Sequence, residues 1–175
     1  MENRPASNYP WLARKWVCHI GRGGEAVSFE FHSGRHAAWM CAHVVMTCGN
    51  FDPLHPGHCD LLWQAKHMGT CLIVGVDDDE AVRRQKGTGR PYLGQEERLA
   101  LVAGLEWVDA VYLQHGGSSE PWLCNVHPGI FVKGGDRTVN EIPETPWCHR
   151  LGIELRVVER ELPFSSRAIV GRVTR

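Results

Sequence analysis

From Val44 the chain runs Val-Val-Met-Thr-Cys-Gly-Asn-Phe-Asp-Pro-Leu-His-Pro-Gly-His58, followed by an amphipathic segment that ends at Gly69. The opening run is apolar and rich in β-branched residues, the pattern of a buried strand. A glycine-containing turn follows at Thr47–Asp52, and then Leu61, Leu62, Ala65 and Met68 recur at helical spacing. Gly69 stands where a helix C-cap glycine belongs. The spacing predicts strand, tight loop and helix in direct succession. His55 and His58 fall just before the helix, beside its positive dipole end and its backbone N–H groups, a setting suited to a polyphosphate.

The remainder alternates in the same way. Cys71–Val76 is a continuous apolar run, as in a strand covered on both faces, and it ends at Asp77, Asp78 and Asp79. Capping of a helix that starts near Glu80 is the default role for those carboxylates. Lys86-Gly-Thr-Gly-Arg-Pro91 is a polar glycine-rich loop without the Walker lysine arrangement. Gln95–Leu105 has helical periodicity, Ala110–Leu113 reads as a strand, Glu120–Val126 as a helix and Gly129–Lys133 as another strand. After Gly134-Gly135-Asp136 come a proline-interrupted helical stretch at Glu141–Leu151 and a strand at Glu154–Val158. Leu162–Ile169 then passes into a final helix with Ser165 as N-cap. Such alternation predicts an α/β fold: a doubly wound, Rossmann-like parallel sheet of about five strands with helices on both faces. Its ligand loops, 47–58, 77–79, 133–137 and 160–167, would gather at the carboxyl edge.

Composition removes several classes. With 19 Lys+Arg against 20 Asp+Glu in 175 residues, there is no basic excess for nucleic acid. No apolar run approaches membrane-spanning length and no h-region opens the chain, so a cytoplasmic location is expected. Seven cysteines without repeating spacing suit reduced thiols. Residues 1–41 form an N-terminal extension of unknown role, and 42–175 form the main domain. In the extension, Cys18, His19, His32, His36 and Cys41, with His43 beyond it, lack the tandem ligand pairs of common zinc modules. The expectation is packing of Trp11 and Trp16 on the main domain, with a short helix from His36 leading into the first strand.

The pattern Thr47-x-Gly49-x-Phe51-Asp52-x-x-His55-x-Gly57-His58 resembles the signature of the cytidylyltransferase-like nucleotidyltransferases. Gly87-Thr-Gly-Arg-Pro91, Gln95-Glu-Glu-Arg98 and Val132-Lys-Gly-Gly-Asp136 are most similar to the branch that activates heptose 1-phosphate. Phe164-Ser-Ser-Arg-Ala-Ile169 resembles the family's C-terminal Ile-Ser-Ser box. The resemblance implies catalytic roles for His55, His58 and Lys66. It implies nucleotide or phosphate contacts at Thr47, Gly49, Asn50, Phe51, Gly57, Lys133, Gly134, Asp136, Arg160, Ser165, Ser166 and Arg167. Asp52 would contact a metal, with Mg²⁺ as cofactor. Three positions depart from the pattern: Arg167 replaces a hydroxyl residue, Asn50 stands where Cys or Thr is common, and Trp63 replaces a polar helix position.

The activity so implied is transfer of AMP from ATP to a sugar phosphate such as heptose 1-phosphate, with release of pyrophosphate. A phosphate oxygen is already nucleophilic at neutral pH, so such an enzyme must align it and stabilise growing charge. One alternative is a cytidylyltransferase using CTP and glycerol 3-phosphate. Another, of a different class, is a nucleotide-binding sensor without turnover. Related domains pair, so a homodimer is also expected from the resemblance.

Overall fold

The computed structural model describes residues 43–135, 138–159 and 169–171, and residues 16–20 and 27–30 as backbone strands. The strands are β1 (Trp16–Ile20), β2 (Val27–Glu30), β3 (Val44–Gly49), β4 (Cys71–Asp77), β5 (Ala110–Gln114), β6 (Ile130–Gly134) and β7 (Glu154–Val158). The helices are α1 (Pro56–Lys66), α2 (Asp79–Lys86), α3 (Gln95–Ala103), α4 (Glu120–Val126) and α5 (Thr145–Leu151). They build one sheet in the order β2-β1-β5-β4-β3-β6-β7. The five strands from β3 to β7 are all parallel, with Val45 in register with Leu72 on one side and Ile130 on the other. This is the doubly wound, Rossmann-like fold that the alternation predicts.

Side-chain alternation divides the core. Val45, Leu72, Val74 and Val76 point to one face, where Leu62 and Ala65 of α1 and Leu99 and Val102 of α3 cover them. Met46, Ile73, Tyr112 and Phe131 point to the other, against Trp122 and Leu123 of α4 and Cys148 of α5. Every residue of β4 is buried, which is why that strand is apolar throughout rather than alternating. The chain steps outward from β3 to β4 and β5, then returns to place β6 on the opposite side of β3. The segments leaving β3 and β6 therefore pass to opposite faces of the sheet, α1 on one and α5 on the other, opening a crevice at the topological switch point.

Two features differ from the expectation. Gly69 is not a C-cap: α1 ends at Lys66 and its cap residue is His67, in right-handed helical geometry. A Cβ at Gly69 would lie 2.4 Å from the His43 carbonyl oxygen, so glycine is required by close backbone approach rather than by a left-handed turn. The extension also enters the sheet. β1 pairs parallel with β5, and β2 pairs antiparallel with β1. Trp11, the helix expected from His36, the side chain of Trp16, and the cysteine and histidine side chains of the extension lie outside the described residues. So does the Leu162–Ala168 segment.

This arrangement bears on removal of the extension. A chain beginning at Arg35 keeps five strands and both helical layers, so it is expected to melt in one cooperative transition. Its melting temperature should fall and its aggregation rise, because the β5 edge would lose its partner. Thermal melting with light scattering checks this. An unchanged melting temperature would show that β1 contributes nothing.

Candidate functional site

The loop between β3 and α1 carries the two imidazoles, and its geometry follows from a few contacts. His55 is the N-cap of α1, with Pro56 in the first turn. Its Nδ1 accepts a hydrogen bond from the His58 backbone N–H at 3.3 Å. Nδ1 being the acceptor, the neutral ring carries its proton on Nε2. The His55 and His58 rings stack at 3.7 Å between centroids with 17° between planes, and Phe51 meets His58 edge-on at 5.0 Å. Phe51 is buried and adopts a left-handed φ of 50°, an unfavourable conformation for an aromatic residue that its surroundings must hold.

Arg98 of α3 does much of that holding. Its side chain is fully buried and donates to the Leu93 carbonyl at 2.9 Å, the Asn50 carbonyl at 2.7 Å and the Asp79 carboxylate at 2.8 Å. One guanidinium thus ties the β3–α1 loop to the start of α2 and to the segment before α3. Asp52 makes a second clamp. Its carboxylate accepts from Arg90 Nε at 2.6 Å and from the Tyr92 and Leu93 backbone N–H groups, and Arg90 also donates to the Asp52 carbonyl.

Above these clamps lies a cleft of about 400 Å³, lined at one end by His55, Gly57 and His58 and at the floor by Cys48, Asp77, Gln114, Lys133 and Glu144. The floor is a buried polar network. Lys133 Nζ lies 2.8 Å from Glu144 Oε1 and 2.9 Å from Cys48 Sγ. Ser119 Oγ donates to the same Glu144 oxygen at 2.9 Å, and Gln114 Nε2 donates to Asp77 at 2.8 Å. Burial pushes the Cys48 thiol and the Asp77 carboxyl up from their ordinary values. Burial acts the same way on Glu144, but the adjacent Lys133 ammonium outweighs it and holds the carboxyl low. Lys133 itself is raised, its burial being overcome by Cys48 and Glu144.

The expected site residues divide accordingly. Gly49, Asn50, Phe51, His55, Gly57, His58, Lys133 and Gly134 line the cleft. Thr47 does not, since it is fully buried one step back in β3. Lys66 requires correction. It sits at the far end of α1, about 12 Å along the helix from His58, where its ammonium pairs with Asp109 at 2.5 Å and the Thr70 carbonyl at 2.7 Å. Asp52 is also reassigned: its oxygens are engaged by the 90–93 segment, so it braces the loop instead of facing a metal. Asp136, Arg160, Ser165, Ser166 and Arg167 lie outside the described residues. Among the described residues no group of three or more His, Cys, Asp or Glu is placed to hold a metal ion; of the carboxylates lining the cleft, Asp77 accepts from Gln114 and one oxygen of Glu144 from Lys133 and Ser119. Glu144, Gln114 and Ser119 escaped the sequence reading; only Asp77 had a signal, its place at a strand's carboxyl end.

Loss of the Arg98 clamp has a calculable consequence. Arg98→Met should destabilise the fold by about 3 kcal/mol, because it strands the Asn50 and Leu93 carbonyls and the Asp79 carboxylate. That corresponds to a fall in melting temperature of roughly 6–12 °C for a chain of this size. Thermal melting measures it; a shift under about 2 °C, less than one kcal/mol, would show that the loop is held by other contacts.

Comparison with known proteins agrees with this geometry. The cytidylyltransferase-like family model matches residues 46–169. The bifunctional protein HldE of Pseudomonas syringae pv. syringae is 42% identical over 130 residues, covering 74% of this chain and 27% of that protein. The HldE of Shewanella amazonensis is 40% identical over 158 residues, covering 89% of this chain and 33% of that protein. The chain thus spans about a quarter to a third of the length of these relatives. Among solved structures, a lipopolysaccharide core biosynthesis protein from Thermoplasma volcanium is 31% identical with a TM-score of 0.57, covering 69% of this chain and 97% of that one. Pantoate-beta-alanine ligase from Francisella tularensis, at 14% identity and a TM-score of 0.52, shares the fold. From the match along most of its length, and from a solved relative covered almost end to end, the chain belongs to the cytidylyltransferase-like family.

Proposed function

We propose that this chain is a nucleotidyltransferase that moves AMP from ATP to a sugar phosphate such as heptose 1-phosphate and releases pyrophosphate. The observation that carries the reading is the stacked His55–His58 pair at the N-terminus of α1, set at the switch point above a polar cleft. An acceptor phosphate oxygen attacks the α-phosphorus, the bond to the bridging oxygen breaks, and pyrophosphate departs with the electron pair. Charge grows on the α-phosphate and the leaving group. Imidazole N–H donors, the Gly57 backbone N–H and the positive end of the α1 dipole supply stabilisation where that charge develops. Arg98 and Asp52 keep those donors in place, so little reorganisation is needed during transfer.

The similarity to HldE proteins and to a lipopolysaccharide core biosynthesis protein favours a sugar phosphate acceptor over glycerol 3-phosphate. Mg²⁺, accompanying the triphosphate, is part of the same proposal, supported by membership of the cytidylyltransferase-like family. No described helix is long and apolar enough to cross a membrane; cytoplasmic nucleotide pools would supply the substrate. Pairing of two copies is part of the same proposal, and light scattering tests it.

The two imidazoles should separate under mutation. His58→Ala removes a donor and should lower turnover by roughly a hundredfold or more, with a much smaller loss of ATP affinity and an unchanged melting temperature. His55→Ala removes a donor and a helix cap, so it should lower turnover similarly and cost about 1 kcal/mol of stability as well. Lys66→Met should leave turnover near that of the wild type. Pyrophosphate release, calorimetric ATP binding and a melt for each variant decide the matter. Near-normal turnover in His58→Ala would overturn the assignment.

A further inference from the structure

At the floor of the cleft, Glu144 precedes α5 and is 7% exposed. Its Oε1 is crowded with donors: Lys133 Nζ at 2.8 Å, Ser119 Oγ at 2.9 Å and Cys48 Sγ at 3.6 Å. Its Oε2 is buried and has no hydrogen-bond partner. A carboxylate held in its charged form with one bare oxygen is a costly arrangement in a protein interior, and native structures rarely leave such an atom unmatched. Lys133 does not relieve it: two of its three donors go to Oε1 and to Cys48, and none reaches Oε2.

The chemistry of a ligand that completes this oxygen is restricted. A phosphate is unsuited, since Oε2 is anionic and the charge of Lys133 is already cancelled by the carboxylate it touches. A hydroxyl donor fits. The cleft is thereby polarised along its length. One end offers imidazoles and the positive end of the α1 dipole to phosphates, and the floor offers a charged acceptor to hydroxyls.

We propose that Glu144 is a specificity residue of the acceptor subsite, its Oε2 accepting a hydrogen bond from a hydroxyl of a polyhydroxylated phosphate ester. The identity of the acceptor as a phosphorylated compound rests on the function proposed above; the polarity of the floor stands on geometry alone. Lys133 and Ser119 act through Glu144, occupying one oxygen and leaving the other as the unpaired acceptor. A substrate lacking the matching hydroxyl would leave Oε2 without a donor and be rejected for that reason.

The test is calorimetric binding to the full chain of two probes, mannose 1-phosphate and n-propyl phosphate, which share a phosphate and differ in hydroxyls. The wild type should prefer the sugar phosphate by about tenfold or more. Glu144→Gln keeps the shape and an oxygen for Lys133 and Ser119 but presents an amide N–H₂ in place of the second oxygen. It should shrink that preference to about threefold or less; the Lys133 charge it uncovers acts on the phosphate that both probes share and so cancels in the ratio. The double variant Lys133→Met with Glu144→Met removes the ion pair without stranding either charge and should show the same loss. An unchanged preference in both variants would overturn the proposal. So would a wild type that binds the two probes equally, since no hydroxyl would then be reaching Oε2. A wild type that shows the preference, and loses it with Glu144, yet never turns over ATP would count against nucleotidyl transfer and in favour of this subsite.

Discussion

The buried guanidinium of Arg98 is the contact on which the phosphate end of this molecule depends. It lies at the junction of the β3–α1 loop, the start of α2 and the segment before α3, and it satisfies an acceptor in each. The bond to the Asn50 carbonyl fixes the backbone just before Phe51, whose left-handed conformation is intrinsically unfavourable. Phe51 in turn sets the edge against which His58 rests. The line from Arg98 to the imidazoles is therefore short and continuous: guanidinium, Asn50 carbonyl, Phe51 ring, His58. Strain at a ligand-facing loop is offset by a charged group that has no exposure to water.

The floor of the cleft uses charge differently. Lys133 and Glu144 neutralise one another inside a network that reaches Cys48, Ser119, Gln114 and Asp77. A buried pair of this kind contributes little net stability, but it enforces a particular arrangement because breaking it is costly. Thus the two ends of one cleft differ in what they can attract: anions above, hydroxyls below. A phosphorylated sugar has both parts, which makes the polarity of the cleft consistent with the family to which the chain belongs.

Much of this is legible in the sequence alone. Strand and helix alternation places the parallel sheet because periodicity is a local property, and the helix at Glu120–Val126 and strand at Glu154–Val158 match their expected bounds. His55 and His58 come together through a three-residue separation on a helix start, which is also local. What escaped the sequence depends on distant partners. Glu144 meets Cys48 across 96 residues, and no spacing near it announces the contact. Lys66 could be placed on its helix but not its direction of work: at the last turn it meets Asp109, a residue from the other side of β4 in sequence. Gly69 was legible as necessary but not for what reason, because its constraint is the His43 carbonyl. β1 was missed because a five-residue run in the extension gains its identity only from β5.

Attack at the α-phosphorus is the step on which the proposed function rests. Phosphorus-31 resonance of the wild-type chain with magnesium-ATP and heptose 1-phosphate follows that bond directly. The prediction is disappearance of ATP with one pyrophosphate and one new sugar-linked diphosphate formed per turnover. Tight ATP binding without these two products, or formation of ADP with orthophosphate, would contradict it.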